Sequence, residues 1–559
     1  MKTIILFIIL PLSSYAQIRD SVVCLPTDTV RVDTTITIMI EDTLNICEDD
    51  TIRIVYIQCV TDTVWDITYN EVPRDTVCEP VIIDTTIQPP APSGDNHYVD
   101  KNASGGNNGT SWANAWQSFA AIQWGLFEPG DVLYISGGAD STIYYENFKI
   151  SGVTGTKANP ITVIAGKYSP SPTGHSGRVI VDAESQTRYQ SIEIGGGDSE
   201  YLIVKGLETR GGKSGVRFTI GTFNHITLDS LTIREWYQLA GIFLYGTGVP
   251  YHYQMDSVII KNCSIISLED FFGQTDGIYI QFATNTIIHD NFIHIRNQDN
   301  FAHCDGMQSQ SSKGYKIYNN VIIVDSLLAS SGGGGATIIL RPAVGDGTDS
   351  LIIYNNFLYT GGESSVNGSE QGNLFNRLNS PPETDEPFIF VHNTVVTNGA
   401  FYTPMIREWG RPGLVVNNIF AQFGDGLGSL KWMPILRSGG DVDSLKNNIL
   451  WREWLTNNPS PMFDGNWTGN GTSAYGFNWD TWVNTLGGTG INENPLFVDN
   501  IGYEPVQADI RGDLQSGSPA INQGLDIQAI IENMGFPWTD INGNARDSTP
   551  DIGAYQYVP

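Results

Sequence analysis

The sequence predicts an all-β chain: a long right-handed parallel β-helix with an N-terminal helical cap, preceded by a short β-rich stalk. Three observations point there: a six-residue pattern recurs through the main body, a second strand pattern recurs in step with it, and the composition suits turn-rich β structure. Of 559 residues, 60 are Gly, 11% are aromatic and only 16% are charged, unlike disordered or coiled-coil chains. A solenoid of this length grows by adding coils and does not need one enlarged core.

Taken in order, residues 1–16 carry the marks of a cleavable export signal. Lys2 precedes an apolar run from Ile4 to Leu12, and Ser14-Tyr15-Ala16 offers a small-x-small cleavage site. The run is too short to anchor in a bilayer, and no later stretch is long and apolar enough to cross one. The expectation is a secreted or cell-surface protein without membrane insertion. The formal net charge of −30 argues against nucleic acid, whose phosphates demand Lys and Arg, and leaves Ca²⁺ open as a cofactor. Export permits disulfides, so Cys24, Cys47, Cys59 and Cys78 are candidates for one or two bridges of open connectivity.

Residues 17–88 alternate polar and apolar side chains and keep returning to one tripeptide. Asp28-Thr-Val, Asp33-Thr-Thr, Asp42-Thr-Leu, Asp50-Thr-Ile, Asp62-Thr-Val, Asp75-Thr-Val and Asp84-Thr-Thr are its copies. Alternation with Thr, Val and Ile predicts short strands. The recurring tripeptide also resembles an acceptor pattern of bacterial O-glycosylation. Either reading makes the segment a stalk. Residues 89–96, opening with Pro89-Pro90-Ala91-Pro92, form a stiff linker.

From 97 to 490 the decisive feature is the repeat. Ile226-Thr-Leu-Asp-Ser-Leu231, Val258-Ile-Ile-Lys-Asn-Cys263, Thr286-Ile-Ile-His-Asp-Asn291, Tyr315-Lys-Ile-Tyr-Asn-Asn320, Leu351-Ile-Ile-Tyr-Asn-Asn356 and Phe388-Ile-Phe-Val-His-Asn393 share one pattern. Further copies end at Asn418 and Asn448. One turn of a three-strand coil plus a variable loop satisfies the spacing. Stacked coils lie about 4.8 Å apart, so these asparagines form a ladder of paired amides. Cys263, on the ladder, is then a small buried hydrophobe, while Cys304 lies elsewhere on its coil. Upstream, Ser111 is placed to cap a helix carrying Trp112, Trp116, Phe119 and Ile122 on one face, which would plug the open end of the solenoid.

Here a resemblance emerges. Tyr98-Val-Asp100, Gly109-Thr-Ser-Trp112, Pro129-Gly-Asp131 and Asn159-Pro-Ile161 are similar to the start of the pectate-lyase-like right-handed β-helix superfamily. Asn494-Pro-Leu-Phe-Val-Asp499, Ser518-Pro-Ala-Ile-Asn522 and Asp551-Ile-Gly-Ala-Tyr555 resemble the closing module of many secreted members, here residues 491–559. The resemblance implies a polysaccharide partner. The superfamily holds lyases, hydrolases, epimerases and adhesins, so the fold alone does not give the activity.

The second strand of each coil aligns as Gly241-Ile-Phe-Leu-Tyr245, Gly277-Ile-Tyr-Ile-Gln281, Gly306-Met-Gln-Ser-Gln310, Thr337-Ile-Ile-Leu-Arg341 and Asn373-Leu-Phe-Asn-Arg377. With Ile242, Ile278, Met307, Ile338 and Leu374 inward, period two turns Tyr245, Gln281, Gln310, Arg341 and Arg377 outward. Arg407 and Arg437 match each other in the next coils, with a one-residue offset left open. Such a column of guanidiniums, joined by Gln308, suits an anionic polysaccharide; alternatively the arginines pair with loop acids. Asp276 and Asp305 open neighbouring strands, close enough to shift each other's pKa or to hold Ca²⁺; alternatively each Asp-Gly simply forms a corner. For a lyase, Arg341 or Ca²⁺ would neutralise a uronate carboxylate, and His303 or Lys313 would be the base. Polygalacturonase-type signatures, Asn-Thr-Asp and Gly-His-Gly, are absent. The expectation is therefore a lyase of acidic polysaccharide. A non-catalytic glycan-binding or adhesive fibre and a glycoside hydrolase are the alternatives.

Overall fold

The structure is a computed structural model that describes residues 53–61, 64–71, 94–184, 188–245, 255–267, 275–297, 304–326, 336–342, 351–361, 375–377, 388–398, 406–407, 412–423, 436–437, 440–453, 463–498 and 512–559. The chain divides into two compact units, Met1–Pro89 and Pro90–Pro559. In the first, Arg53–Thr61 and Val64–Glu71 pair as an antiparallel hairpin with Ile57 opposite Ile67. The alternation of Thr, Val and Ile does make strands there. The export signal, the Asp-Thr pairs and Cys24, Cys47 and Cys78 lie outside the described residues.

The second unit is a parallel β-helix. From Val132 on, the coils give strands in turn to three sheets. Sheet 1 begins with Asn96–Val99, Val132–Ile135, Ile161–Ala165, Ser199–Lys205 and Phe223–Asp229. Sheet 2 runs from Ser141–Tyr144 through Arg178–Asp182, Glu208–Arg210 and Thr232–Arg234 to Ile449–Arg452. Sheet 3 holds Phe148–Ile150, Gln190–Ile194, Ser214–Phe218, Ala240–Tyr245, Asp276–Gln281, the first half of Met307–Tyr318, and Ile338–Pro342. Met307–Tyr318 continues around a corner into sheet 1, which joins those two sheets. Period-two side chains stack inside: Ile192, Val216, Ile242, Ile278, Met307 and Ile338 occupy one register row, and all are fully buried.

The corner between sheets 1 and 2 explains the Asn-Asn pairs. Its first residue takes a left-handed turn, with φ of 54° at Asn319, 55° at Asn355 and 58° at Asn417, a conformation that asparagine tolerates well. The second turns inward and climbs the ladder. Asn291, Asn320, Asn356, Asn393 and Asn418 each donate an amide hydrogen to the Oδ1 of the next, at 2.9 to 3.1 Å, ending on Asn448. Cys263 tops the row, its backbone N–H donating to Asn291 Oδ1 at 2.9 Å. Burial pushes its thiol up to about 12, so it behaves as a small hydrophobe; Cys304 is likewise buried, its Sγ 3.2 Å from Thr275 Oγ1.

The N-terminal plug differs in form from a single helix. Phe119–Ala121 and Trp124–Leu126 are 3₁₀ turns. Trp116 instead bridges the first strand: its N–H donates to the Tyr98 carbonyl, and its carbonyl accepts from the Asp100 N–H, both at 2.9 Å. Those bonds use the groups a helix would need. The apolar face survives, with Trp116, Phe119 and Ile122 all buried. At the other end Phe463–Gly469 and Thr472–Phe477 form an antiparallel hairpin. The helix Trp479–Asn484 lays Trp482 on Phe463, ring centroids 4.8 Å apart.

The C-terminal segment Gly512–Pro559 docks along the side of the solenoid, on the outer surfaces of sheets 1 and 2. Ile527, Ile531, Phe536 and Trp538 pack on Ile352, Tyr354, Val391 and Val416 of sheet 1, while Leu514, Ile552 and Tyr555 pack on Phe357, Tyr359 and Ile419 of sheet 2. Arg546, buried in the joint, donates to Asn355 Oδ1 and to the Gly553 carbonyl. Sheet 3 is the face these contacts leave uncovered.

Candidate functional site

Asp276 and Asp305 begin adjacent strands of sheet 3 and are almost fully buried, at 1% and 0% exposure. Asp276 Oδ1 accepts the Asp305 N–H at 3.0 Å, and Asp305 Oδ1 accepts the Ala336 N–H at 2.7 Å. This is the geometry of the corner reading: each carboxylate holds the turn of the next coil. Calcium takes roughly six to eight oxygen ligands. Among the described residues this corner offers two carboxylates, each already engaged by a backbone amide, which does not fit such an ion. His303 lies outside the described residues. Lys313 is not brought to Asp305: it follows the left-handed turn at Ser311 and pairs with Thr284 on sheet 1.

The register on sheet 3 corrects the arginine column. Tyr245, Gln281, Gln310 and Arg341 do share one register row. Arg377 pairs instead with Leu340, one position back, and Phe375 takes the place expected of Leu374. Arg407 and Arg437 pair with each other and with Asn376, in the row of Gln308. The four arginines thus share a sheet but occupy three rows. Two adjacent apolar residues, Leu374 and Phe375, leave the parity of that strand ambiguous, and a one-residue slip moves every side chain to the other face. Gln308 is 4% exposed, whereas Gln281, Gln310 and Tyr245 are half-buried.

The outward row that includes Gln308 carries what the sequence reading missed. Running up the coils it reads Lys149, Glu193, Arg217, Phe243, Tyr279 and Gln308. Phe243 stacks on Tyr279 at 5.1 Å and on Tyr245 at 5.5 Å, with planes 20° and 11° apart. The Arg217 guanidinium lies 4.4 Å from the Tyr189 ring centroid and 5.5 Å from that of Phe243. Below it, Glu193 pairs with Lys149 at 3.1 Å and accepts from Thr219 Oγ1 at 3.1 Å. A strip of flat groups, partly exposed among the described residues, therefore lines the outer face of sheet 3, with amides following it. The signal was present in Ile242-Phe-Leu-Tyr245 and Ile278-Tyr-Ile-Gln281, where an aromatic stands at the outward position between two inward aliphatics.

No family model matches the sequence, and no curated protein matches it. Solved structures similar to this chain include the pectate lyase Pel9A, at 16% identity and TM-score 0.37, over 83% of this chain and 96% of that one. A GH136 lacto-N-biosidase from Eubacterium ramulus gives 12% and 0.33, over 72% and 67%. An alginate lyase from Paenibacillus gives 13% and 0.25, over 67% and 97%. The parallel strand register makes the fold a parallel β-helix.

Proposed function

We propose that this chain lays a polysaccharide along the outer face of sheet 3 and acts on it as a lyase of uronate-bearing polymers. The observation that carries the proposal is the strip Tyr189, Arg217, Phe243 and Tyr279 on the outer face of sheet 3, which the C-terminal segment does not cover among the described residues, continued by Gln281 and Gln310. Sugar rings present apolar C–H faces that suit aromatic side chains, and their hydroxyls suit amides.

The proposed reacting end lies at the coils of Gln310 and Arg341, which are adjacent in register. There Arg341 would neutralise the uronate carboxylate and His303 would take the C5 proton. The bond from C4 to the glycosidic oxygen breaks, a C4–C5 double bond forms, and the leaving oxygen takes up a proton. The burial of Asp276 and Asp305 favours a second reading, a non-catalytic glycan grip, because it removes two carboxylates from the chemistry. Mixing the protein with a panel of uronate polymers, and following both binding and absorbance of the unsaturated product, tests both. Product supports the lyase; binding without product on any polymer favours the grip. No binding, or binding indifferent to Phe243→Ala, removes the face from consideration.

A further inference from the structure

On sheet 2, around the solenoid from the aromatic strip, a cleft of about 430 Å³ is lined by Lys167, Ser176, Arg178, Glu208, Thr232 and Arg234, among others. In a chain with only 30 Lys and Arg against 60 acids, this concentration of cations is unusual. Glu208, with its side chain 8% exposed, is clamped from two sides. Arg178 donates to its Oε2 through Nε at 3.1 Å and Nη2 at 2.5 Å, and Arg210 donates to its Oε1 through Nε and Nη2, both at 3.0 Å. One carboxylate thus fixes two guanidiniums and leaves their combined charge positive. Arg234 lies directly beside Arg210 in the next coil and is exposed, and among the described residues no carboxylate pairs with it. Lys167 sits over the half-exposed Tyr168 ring at 4.9 Å, and Lys205 approaches the same ring at 5.2 Å while pairing with Asp229. Of the charged side chains that line the cleft, three are cations, Lys167, Arg178 and Arg234, and one is an acid, Glu208; Asp140 lies near Arg178, Asp182 beside Arg210, and Asp229 is held by Lys205.

We infer that this cleft is a second carbohydrate site, one that takes a single sugar unit bearing a carboxylate or sulfate. The volume suits a monosaccharide, the oriented guanidiniums suit an oxyanion bidentately, and the Ser230 and Thr232 hydroxyls on the wall suit sugar hydroxyls. A purely structural ion pair would need only Glu208 and one arginine. The site is independent of the sheet 3 proposal, because its residues belong to another sheet. Bound to both faces, one molecule could hold two polymer strands.

Hydrogen–deuterium exchange of the full chain, titrated with trigalacturonate, maltotriose and inorganic sulfate, tests this. Trigalacturonate should protect peptides covering 176–180, 206–210 and 230–234, and maltotriose should not. Arg234→Ala and Lys167→Ala should each raise the concentration needed for half protection about tenfold, the loss of one charge-assisted contact. Phe243→Ala should leave this protection unchanged, which separates its failure from failure of the sheet 3 reading. Absence of protection at these peptides overturns the inference, as does protection that survives both substitutions. Equal protection by inorganic sulfate overturns the sugar assignment.

Discussion

The carboxylate of Asp276 reaches one coil upward and accepts the backbone N–H of Asp305 at 3.0 Å. Asp276→Ala should therefore cost stability, not binding. It strips a buried amide of its acceptor, a loss of about 1–3 kcal/mol, readable as a lower urea midpoint. Polysaccharide affinity should stay at the wild-type level. A large loss of binding with unchanged stability would return Asp276 to the working face.

Asn356 makes a stronger case on the neighbouring corner. Its amide donates to Asn393 Oδ1 and to the Ile317 and Tyr354 carbonyls, and its Oδ1 accepts from Asn320 Nδ2 and the Asn320 N–H. Asn356→Leu leaves several buried groups unpaired at once, each costing about 1–3 kcal/mol. It should be the more damaging of the two substitutions in the same urea titration. An effect near zero would contradict the ladder.

His392 sits fully buried in the corner row that the C-terminal segment covers, with Asn417 Nδ2 at 3.0 Å from its Nε2. Burial first, and then the nearby Arg546 guanidinium, hold its pKa well below the ordinary value of 6.5. A depressed histidine pKa means the unfolded chain binds the proton first. Stability should thus fall as pH drops below 6.5, by at most about 1.4 kcal/mol per pH unit from this group. His392→Asn suits the left-handed backbone there, φ 53°, and should flatten that slope. Identical melting curves against pH for the two proteins would refute the assignment.

On sheet 3, Phe243→Ala and Tyr279→Ala should each weaken binding of a responsive polysaccharide about tenfold or more, as loss of an aromatic anchor does. Both rings lie on the outer surface, so melting temperature should move little. Affinity electrophoresis with and without polymer separates the two effects; unchanged mobility shifts would count against the strip.

The ladder was legible because its residues repeat chemically as well as periodically: a left-handed asparagine followed by an inward one leaves a signature no other element shares. The sheet 3 row from Tyr245 to Arg341 was legible from parity alone. Parity failed at Leu374-Phe375, where two apolar residues compete for one inward place. Phe243 and Tyr279 escaped notice because an aromatic among aliphatics reads as a fully buried strand. Lys149, Glu193 and Arg217 stand on earlier coils that lack the Asn-Asn landmark, so no register could be laid on them. The Trp112–Ile122 helix gave way because a long-range bridge at Trp116 outbid local periodicity, and such a bridge leaves no local trace.

The lateral docking of the C-terminal segment changes how the solenoid can come apart. Stacked coils ordinarily fray one at a time, since each touches only its neighbours. Here one segment is bonded to Asn355, Thr394, Asn417 and Asn447, on four successive corners. None of those coils can peel away while the segment stays attached, and the segment cannot leave without surrendering all four together. That half of the molecule should therefore open as one all-or-none block, and a protease meeting a momentarily loosened coil should find it closed again before it can cut.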